Sequence, residues 1–279
     1  MDTTLGIDLA SQPTNTALCV IAWHDDGTAD VRALARGHWH EAPLDDRLLS
    51  GAFQGIGDGW GPRGYPVKTA IDAPFGWPAP FVDALATHDR LDPWPSEIDG
   101  ERKRFERRAT DFFVHAQGCK LPLSVSTDRI AYCAMRCAVI LGDLSRVLDR
   151  AELARDGSGR VAEAYPDAAL RRWLPDLWAG APKDSYKGSA DKAVARREVL
   201  LAGLLDQFGP AFELAPDQQQ ACVASDDVLD ALVCALLARA VWQEGGTLRP
   251  AAGEQTDLAR TEGWIHLPSD ARLGRLLQG

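Results

Sequence analysis

Leu5, Ile7 and Leu9 alternate with Gly6, Asp8 and Ala10. That is the period of a strand with one apolar face. Its other face holds one carboxylate between residues too small to shield it. The pattern returns sixty residues later: Gly6-Ile7-Asp8-Leu9-Ala10 is echoed by Ala70-Ile71-Asp72-Ala73-Pro74. Two separate strands therefore each deliver an aspartate at or near their C-terminal end, and a fold has to accommodate both.

Around these two segments the chain reads as an opening antiparallel meander. Strands are expected over 4–10, 15–23 and 29–39, with Asp25-Asp26-Gly27 as the hairpin turn between the second and third. A short helix over 44–54 and a Gly-rich loop over 55–66 lead into a fourth strand at 67–72. Residues 77–158 read as mostly helical, with a Pro-rich break at Leu91-Asp92-Pro93-Trp94-Pro95. A short fifth strand follows at 160–164, then helices over 167–173, 190–207 and 226–243. Ser225 is a suitable N-cap for the last of these, and the acids in its first turn suit the helix dipole.

Composition sets outer limits. A chain of 279 residues buries enough surface to fold without staples, as one large domain or two small ones. The six cysteines show no Cys-x-x-Cys and no neighbouring His at zinc spacing, and Cys133 and Cys137, one helical turn apart, suit core packing. No apolar run reaches the length of a membrane span and no basic-then-apolar leader opens the chain, so a cytoplasmic protein with no membrane partner is expected. Arginine outnumbers lysine 24 to 6, a skew that looks like GC-rich bacterial coding. The formal charge of −10 argues against non-specific wrapping of nucleic acid, which relies on many basic groups at phosphates.

Asp227 and Asp230 are three apart on the final helix and share a face that Ala231, Cys234 and Ala238 continue. A stripe so small would let the helix lie close against a sheet and point both carboxylates beyond the strand ends. If Asp8, Asp72, Asp227 and Asp230 met within about 4 Å without cations, each ionised pair would cost on the order of 4 kcal/mol at an effective dielectric constant near 20. Hard divalent cations with oxygen ligands, Mg2+ or Mn2+, are the natural remedy. Two such ions roughly 3.5–4 Å apart form the clamp used in phosphodiester hydrolysis. Taken singly, Asp227 also suits a first helical turn and Asp72 the capping of a turn; it is the joint pattern that points to metal.

Other residues have a claim on substrate. Arg104, Arg107, Arg108 and Asp111 recur at helical spacing within the strongest basic cluster of an acidic chain, and arginine grips phosphate bidentately. The same spacing serves a solvated helix face with internal ion pairs, and Asp111 could orient one of the arginines. Glu163 ends the fifth strand beside the acids, as a catalytic or supporting carboxylate or as a turn cap. Lys187, in a Gly/Ser-rich stretch, could meet a phosphate or lie on the surface. No Gly-x-Ser-x-Gly elbow supports serine-based hydrolysis.

The order β-β-β-α-β-α-β-α, with acids on strand one, strand four and the last helix, resembles the RNase H-like fold. The stretch Asp227-x-x-Asp230-Ala-Leu is similar to the closing motif of RuvC-type Holliday-junction resolvases, where such a pair completes a two-metal site. More closely, the chain resembles the bacterial family called domain of unknown function 429, described as predicted RNase H-like nucleases. The matching pieces are Gly6-Ile7-Asp8-Leu9-Ala10, Ile71-Asp72-Ala73-Pro74-Phe75-Gly76, Arg108-Ala109-Thr110-Asp111, Glu163-Ala164-Tyr165-Pro166, Ser185-Tyr186-Lys187, Asp227-x-x-Asp230-Ala-Leu and Glu262-Gly263-Trp264-Ile265-x-Leu-Pro.

The resemblance implies one RNase H-like α/β domain over 1–279, with a five-stranded mixed sheet: strands one to three antiparallel, four and five parallel. Residues 77–158 would form a helical insertion capping the site. Two departures stand out. The first helix offers only Asp45 and Asp46 where one branch of the superfamily places a glutamate, and the connection between strands four and five is long.

Three functions compete. The first is a metal-dependent nuclease with Asp8, Asp72, Asp227 and Asp230 holding Mg2+ or Mn2+ and Glu163 beside them. Its substrate would be DNA, RNA or a smaller phosphorylated compound. The second is a nucleotide-binding or phosphotransfer protein of the actin-like ATPase type. It is weakened because Leu9-Ala10-Ser11-Gln12 lacks the glycines that bring backbone amides to phosphates. The third is a non-catalytic binding module on the same scaffold. The sequence leaves the oligomeric state open.

Overall fold

The computed structural model describes residues 1–52, 66–92, 98–179 and 184–278. The expected loop over 55–66 and most of the Pro-rich break at 91–95 lie outside the described residues. Among the described residues there are eight strands: β1 (Asp2–Asp8), β2 (Ala17–Trp23), β3 (Ala29–Arg36), β4 (His38–Trp39), β5 (Ala42–Pro43), β6 (Lys68–Asp72), β7 (Val161–Glu163) and β8 (Phe212–Glu213). Strands β4 and β5 pair only with each other, and the other six form one mixed sheet in the order β7-β6-β1-β2-β3-β8. β1, β2 and β3 run antiparallel in sequence, β6 is parallel to β1, and β7 is parallel to β6.

The five expected strands are thus present, and the sheet has a sixth. β8, only two residues long, pairs in parallel with β3 to form the edge of the sheet and is too short to show a period. β3 also stops earlier than expected. Gly37 takes φ +73 there, and a Cβ on it would stand 3.0 Å from the Thr14 carbonyl oxygen, so the chain turns out of the sheet.

Helices cover both faces, and β2 is accordingly buried along its whole length, an apolar run without alternation. On one face Leu5, Ile7, Leu18, Val20 and Ile71 pack with Leu49 of the Asp46–Ala52 helix and with Cys137, Ile140 and Leu144 of the Ala131–Leu144 helix. On the other lies the Asp226–Trp242 helix, the central helix, buried on nearly every side. Each fully buried Leu, Ile or Val contributes about 1.5–3 kcal/mol relative to an exposed position. Within 77–158 the roles divide: Ala131–Leu144 builds a face of the core, while residues from Gly118 to Ile130 line a cleft beside the strand ends.

The small residues of β1 find their reason in the central helix. A Cβ on Gly6 would lie 2.1 Å from the Ala231 carbonyl oxygen and 2.2 Å from the Ala235 nitrogen, so only glycine lets the helix backbone touch the strand. Thr4 fixes the same contact: its hydroxyl accepts from Trp23 Nε1 at 2.9 Å and donates to the Ala235 carbonyl at 3.0 Å. Ser225 caps the helix as expected, its hydroxyl accepting from Val228 N at 3.4 Å. All six cysteines are free. Among the described residues no helix is long and apolar enough to cross a membrane.

Candidate metal centre

β1 and β6 are parallel and in register, with Gly6 opposite Ala70, Ile7 opposite Ile71 and Asp8 opposite Asp72. The two echoed segments are therefore neighbours, and both aspartates stand at the carboxyl ends of adjacent interior strands. They lie on the face of the central helix, because Ile7 and Ile71 pack on the opposite one. Asp230, one turn into that helix, completes a cluster. Asp8, Asp72 and Asp230 each offer a carboxylate oxygen, and these oxygens lie within 4.8 Å of one another.

Asp230 is fully buried and held from two sides. Tyr186 Oη donates to its Oδ1 at 2.8 Å, and Lys187 Nζ donates to its Oδ2. The segment carrying both donors is itself anchored by Arg197, buried to 1 % exposure. Arg197 donates to the carbonyls of Tyr186 at 2.7 Å and Gly188 at 2.8 Å, and to Val223 at 2.7 Å at the end of the preceding helix. Neither Tyr186 nor Arg197 carries a period or spacing that marks it as part of a site.

Asp8 and Asp72 have much less support. Among the described residues no backbone N–H and no cationic side chain hydrogen-bonds either one. Burial, then the neighbouring Asp230 and Asp72 carboxylates, hold Asp8 well above the ordinary carboxylate range, against the opposing pull of Lys187. Burial likewise pushes Asp72 up to about 7, with Lys187 and a hydrogen bond from Asp8 acting against Asp230 and Glu163. Asp230 is raised by burial, although Lys187 and Tyr186 pull it down. Burial works against the Lys187 ammonium, but the carboxylates of Asp230, Asp8 and Asp72 outweigh it and keep the lysine charged. One ammonium thus faces three carboxyls. At an effective dielectric constant near 20, two carboxylates about 4.8 Å apart repel by about 3.5 kcal/mol.

The donor set suits a hard divalent cation. It consists of carboxylate oxygens, the ligands of Mg2+ and Mn2+. Cys133 and Cys234 are coupled to the same carboxylates, yet burial pushes the Cys133 thiol up to about 11 and the Cys234 thiol well above its ordinary value. Among the described residues no cysteine sulfur joins the three clustered carboxylate oxygens.

The remaining expected site residues fall elsewhere. Asp227 is not among the three clustered carboxylates, although its charge also raises Asp8; Arg36, at the end of β3, donates through Nε to its Oδ2 at 2.6 Å and through Nη2 to Asn15 at 2.9 Å. Arg108 and Asp111, expected at the substrate, are 2 % and 0 % exposed. Arg108 forms a fork with Glu163, Nη1 to Oε2 at 2.8 Å and Nη2 to Oε1 at 2.6 Å, and its Nη2 reaches Asp111 Oδ1 at 3.0 Å. Asp111 also accepts from the Arg108 backbone N–H at 2.8 Å at the start of the Ala109–Ala116 helix. The guanidinium donors of Arg108 are all engaged within the protein, so here it braces the end of β7, although it and Glu163 also line the cleft beside the strand ends. Glu163 sits one strand beyond Asp72, committed to Arg108 and to the Phe75 N–H at 3.1 Å.

Arg107 donates to the Pro122 carbonyl, and Arg104 is exposed on the Ile98–Glu106 helix. Lys187 is the one expected substrate residue that reaches the cluster, and its side chain remains 44 % exposed.

A cleft of about 860 Å³ opens beside the cluster, with Asp72, Lys187 and Asp226 in its lining. The fold and the three clustered carboxylates define a mixed α/β protein with an acidic cluster, able to hold a metal ion, where the carboxyl ends of two parallel strands meet a helix. Residues 6–255 match the family described as protein of unknown function (DUF429), and the chain belongs to that family. No curated protein and no solved structure matches it.

Proposed function

We propose that the protein is a metal-dependent phosphodiesterase acting on nucleic acid, built on an RNase H-like fold. The observation that carries this reading is the meeting of Asp8, Asp72 and Asp230 with only Lys187 as counter-charge. The sheet supports it, since an antiparallel β1-β2-β3 meander is followed by parallel β6 and β7, with Asp8 and Asp72 at the carboxyl ends of adjacent interior strands. Open α/β sheets bind ligands outside the carboxyl ends of their strands.

Asp8, Asp72 and Asp230 would hold a Mg2+ or Mn2+ ion, whose chemistry is to polarise a phosphoryl oxygen and lower the pKa of a bound water. Tyr186 fixes the orientation of Asp230, and the register of β1 with β6 fixes Asp8 against Asp72. Lys187, partly exposed between Asp230 and the cleft, neutralises charge on the phosphodiester. Hydrolysis adds one water across the P–O bond: the water oxygen bonds to phosphorus, and the ester oxygen leaves as an alcohol carrying one of its protons. We read the centre as a seat for one cation, because Arg36 engages the fourth carboxylate, Asp227. A second cation at Asp227 requires Arg36 to release it.

The test is cleavage of labelled single-stranded, duplex, branched and RNA oligonucleotides with Mg2+, Mn2+ or EDTA, for the wild type and for Asp8→Asn. Metal-dependent cleavage that Asp8→Asn abolishes is expected. Cleavage that survives EDTA or the substitution, or no cleavage of any substrate, would overturn the reading.

A further inference from the structure

The cleft beside the carboxylates has a composition that speaks to what enters it. One wall is apolar, with Pro74, Leu121, Leu123 and Ile130, and Tyr165 and Ile265 add to the lining. Lys120 and Arg129 also line it, both exposed and neither with a carboxylate partner among the described residues. The other cations nearby are committed. Arg108 is locked in its buried fork, Arg107 donates to the Pro122 carbonyl, and Arg171 bonds Asp167 at 2.8 Å while stacking over Trp178. Lys120 and Arg129 are therefore the cations of this lining without a carboxylate partner among the described residues; Lys187 is paired with Asp230, and Asp72, Glu163, Asp167, Asp184 and Asp226 line the same cleft.

A protein that follows the backbone of a long strand or duplex lines its path with many cations, and this chain carries a formal charge of −10. At about 860 Å³ the cleft falls within the span of about 300–1,000 Å³ typical of small-ligand sites. We infer that the cleft takes a nucleotide-sized phosphodiester, a dinucleotide or the free end of a single strand, with bases against the apolar wall and phosphates at Lys120 and Arg129. The inference deepens the hydrolase reading and rests on it only for which bond is broken; the binding stands by itself.

The experiment measures both binding and cleavage. Asp8→Asn protein, without divalent metal, is titrated with a 5′-phosphorylated dinucleotide, a linear single strand, the same strand closed into a circle, and a long duplex without single-stranded ends. Wild-type protein with Mn2+ is assayed for cleavage of the same four. The dinucleotide and the linear strand are expected to bind, with log affinity falling against log salt at a slope of about −1.4 for two phosphate contacts. Replacing Lys120 and Arg129 together by alanine should weaken binding by about tenfold per contact and bring the slope close to zero.

Comparison of the dinucleotide with the linear strand tells a soluble nucleotide from a strand end. Equal binding and cleavage of the circle or the duplex would overturn the inference and leave the hydrolase reading standing. Binding of the dinucleotide that depends on Lys120 and Arg129, with no cleavage under any metal, would support the cleft and refute the hydrolase. Binding of none of the four, or binding indifferent to the double substitution, would overturn the inference.

Discussion

Replacing Asp72 by asparagine should stabilise the metal-free protein, and only at high pH. In the fold this carboxyl ionises near pH 7, against 3.8 for an ordinary aspartate, chiefly because it is buried beside other carboxylates. Between those values the native state binds a proton that the unfolded chain has released. The stability this confers is complete below about pH 4 and is lost as pH rises through about 7. Above both values the ionised group costs about 4 kcal/mol, at 1.36 kcal/mol per pH unit of difference.

The Asp72→Asn substitution keeps the shape and removes the charge. For a chain of 279 residues, about 1 kcal/mol moves the melting temperature by roughly 2 °C. The upper bound is therefore about 8 °C at pH 8, with little change at pH 5. The assay is thermal unfolding of both proteins in EDTA across pH 4–8, repeated with Mn2+. Added Mn2+ should stabilise the wild type increasingly as pH rises and leave Asp72→Asn unmoved. A variant that is less stable than the wild type at pH 8, or equally shifted at pH 5 and 8, would refute the electrostatic reasoning.

Three further substitutions probe the scaffold. Gly6→Ala places a Cβ 2.1 Å from the Ala231 carbonyl, so the central helix must retreat by roughly an ångström. Its melting temperature should fall and its Mn2+ stabilisation disappear with the displacement of Asp230. Gly142→Ala, with open space around the new atom, should melt at or above the wild type. Arg108→Met leaves Asp111 and Glu163 buried without their cation and should lose about 3–5 kcal/mol in urea unfolding, whereas an unchanged midpoint would show that the fork is dispensable.

Much of this was legible in the sequence where period and register coincide. The echo of Gly6-Ile7-Asp8 in Ala70-Ile71-Asp72 is the β1–β6 pairing itself, residue for residue. The small stripe on the central helix is the surface that meets Gly6; the helix is not the last, since Glu254–Glu262 follows it. Illegible were contacts between groups far apart along the chain. Nothing local tells that Arg36 would draw Asp227 away from Asp230, since the pair is 191 residues apart and formed at a strand end. Helical spacing grouped Arg104, Arg107 and Arg108, but Arg108 closes one helix's neighbourhood and opens the next, and its guanidinium turns inward to Glu163. Tyr186 and Arg197 act through a single hydroxyl and a set of backbone carbonyls, interactions that leave no trace in composition.

The central claim is that Asp8, Asp72 and Asp230 act as one cation seat. Calorimetric titration of the metal-free protein with Mn2+ at pH 8, for the wild type and each single Asp→Asn variant, tests it most directly. The account predicts saturable binding near one ion per chain, lost in all three variants and retained in Asp227→Asn. Absence of binding in the wild type, or binding undiminished by any of the three substitutions, would contradict it.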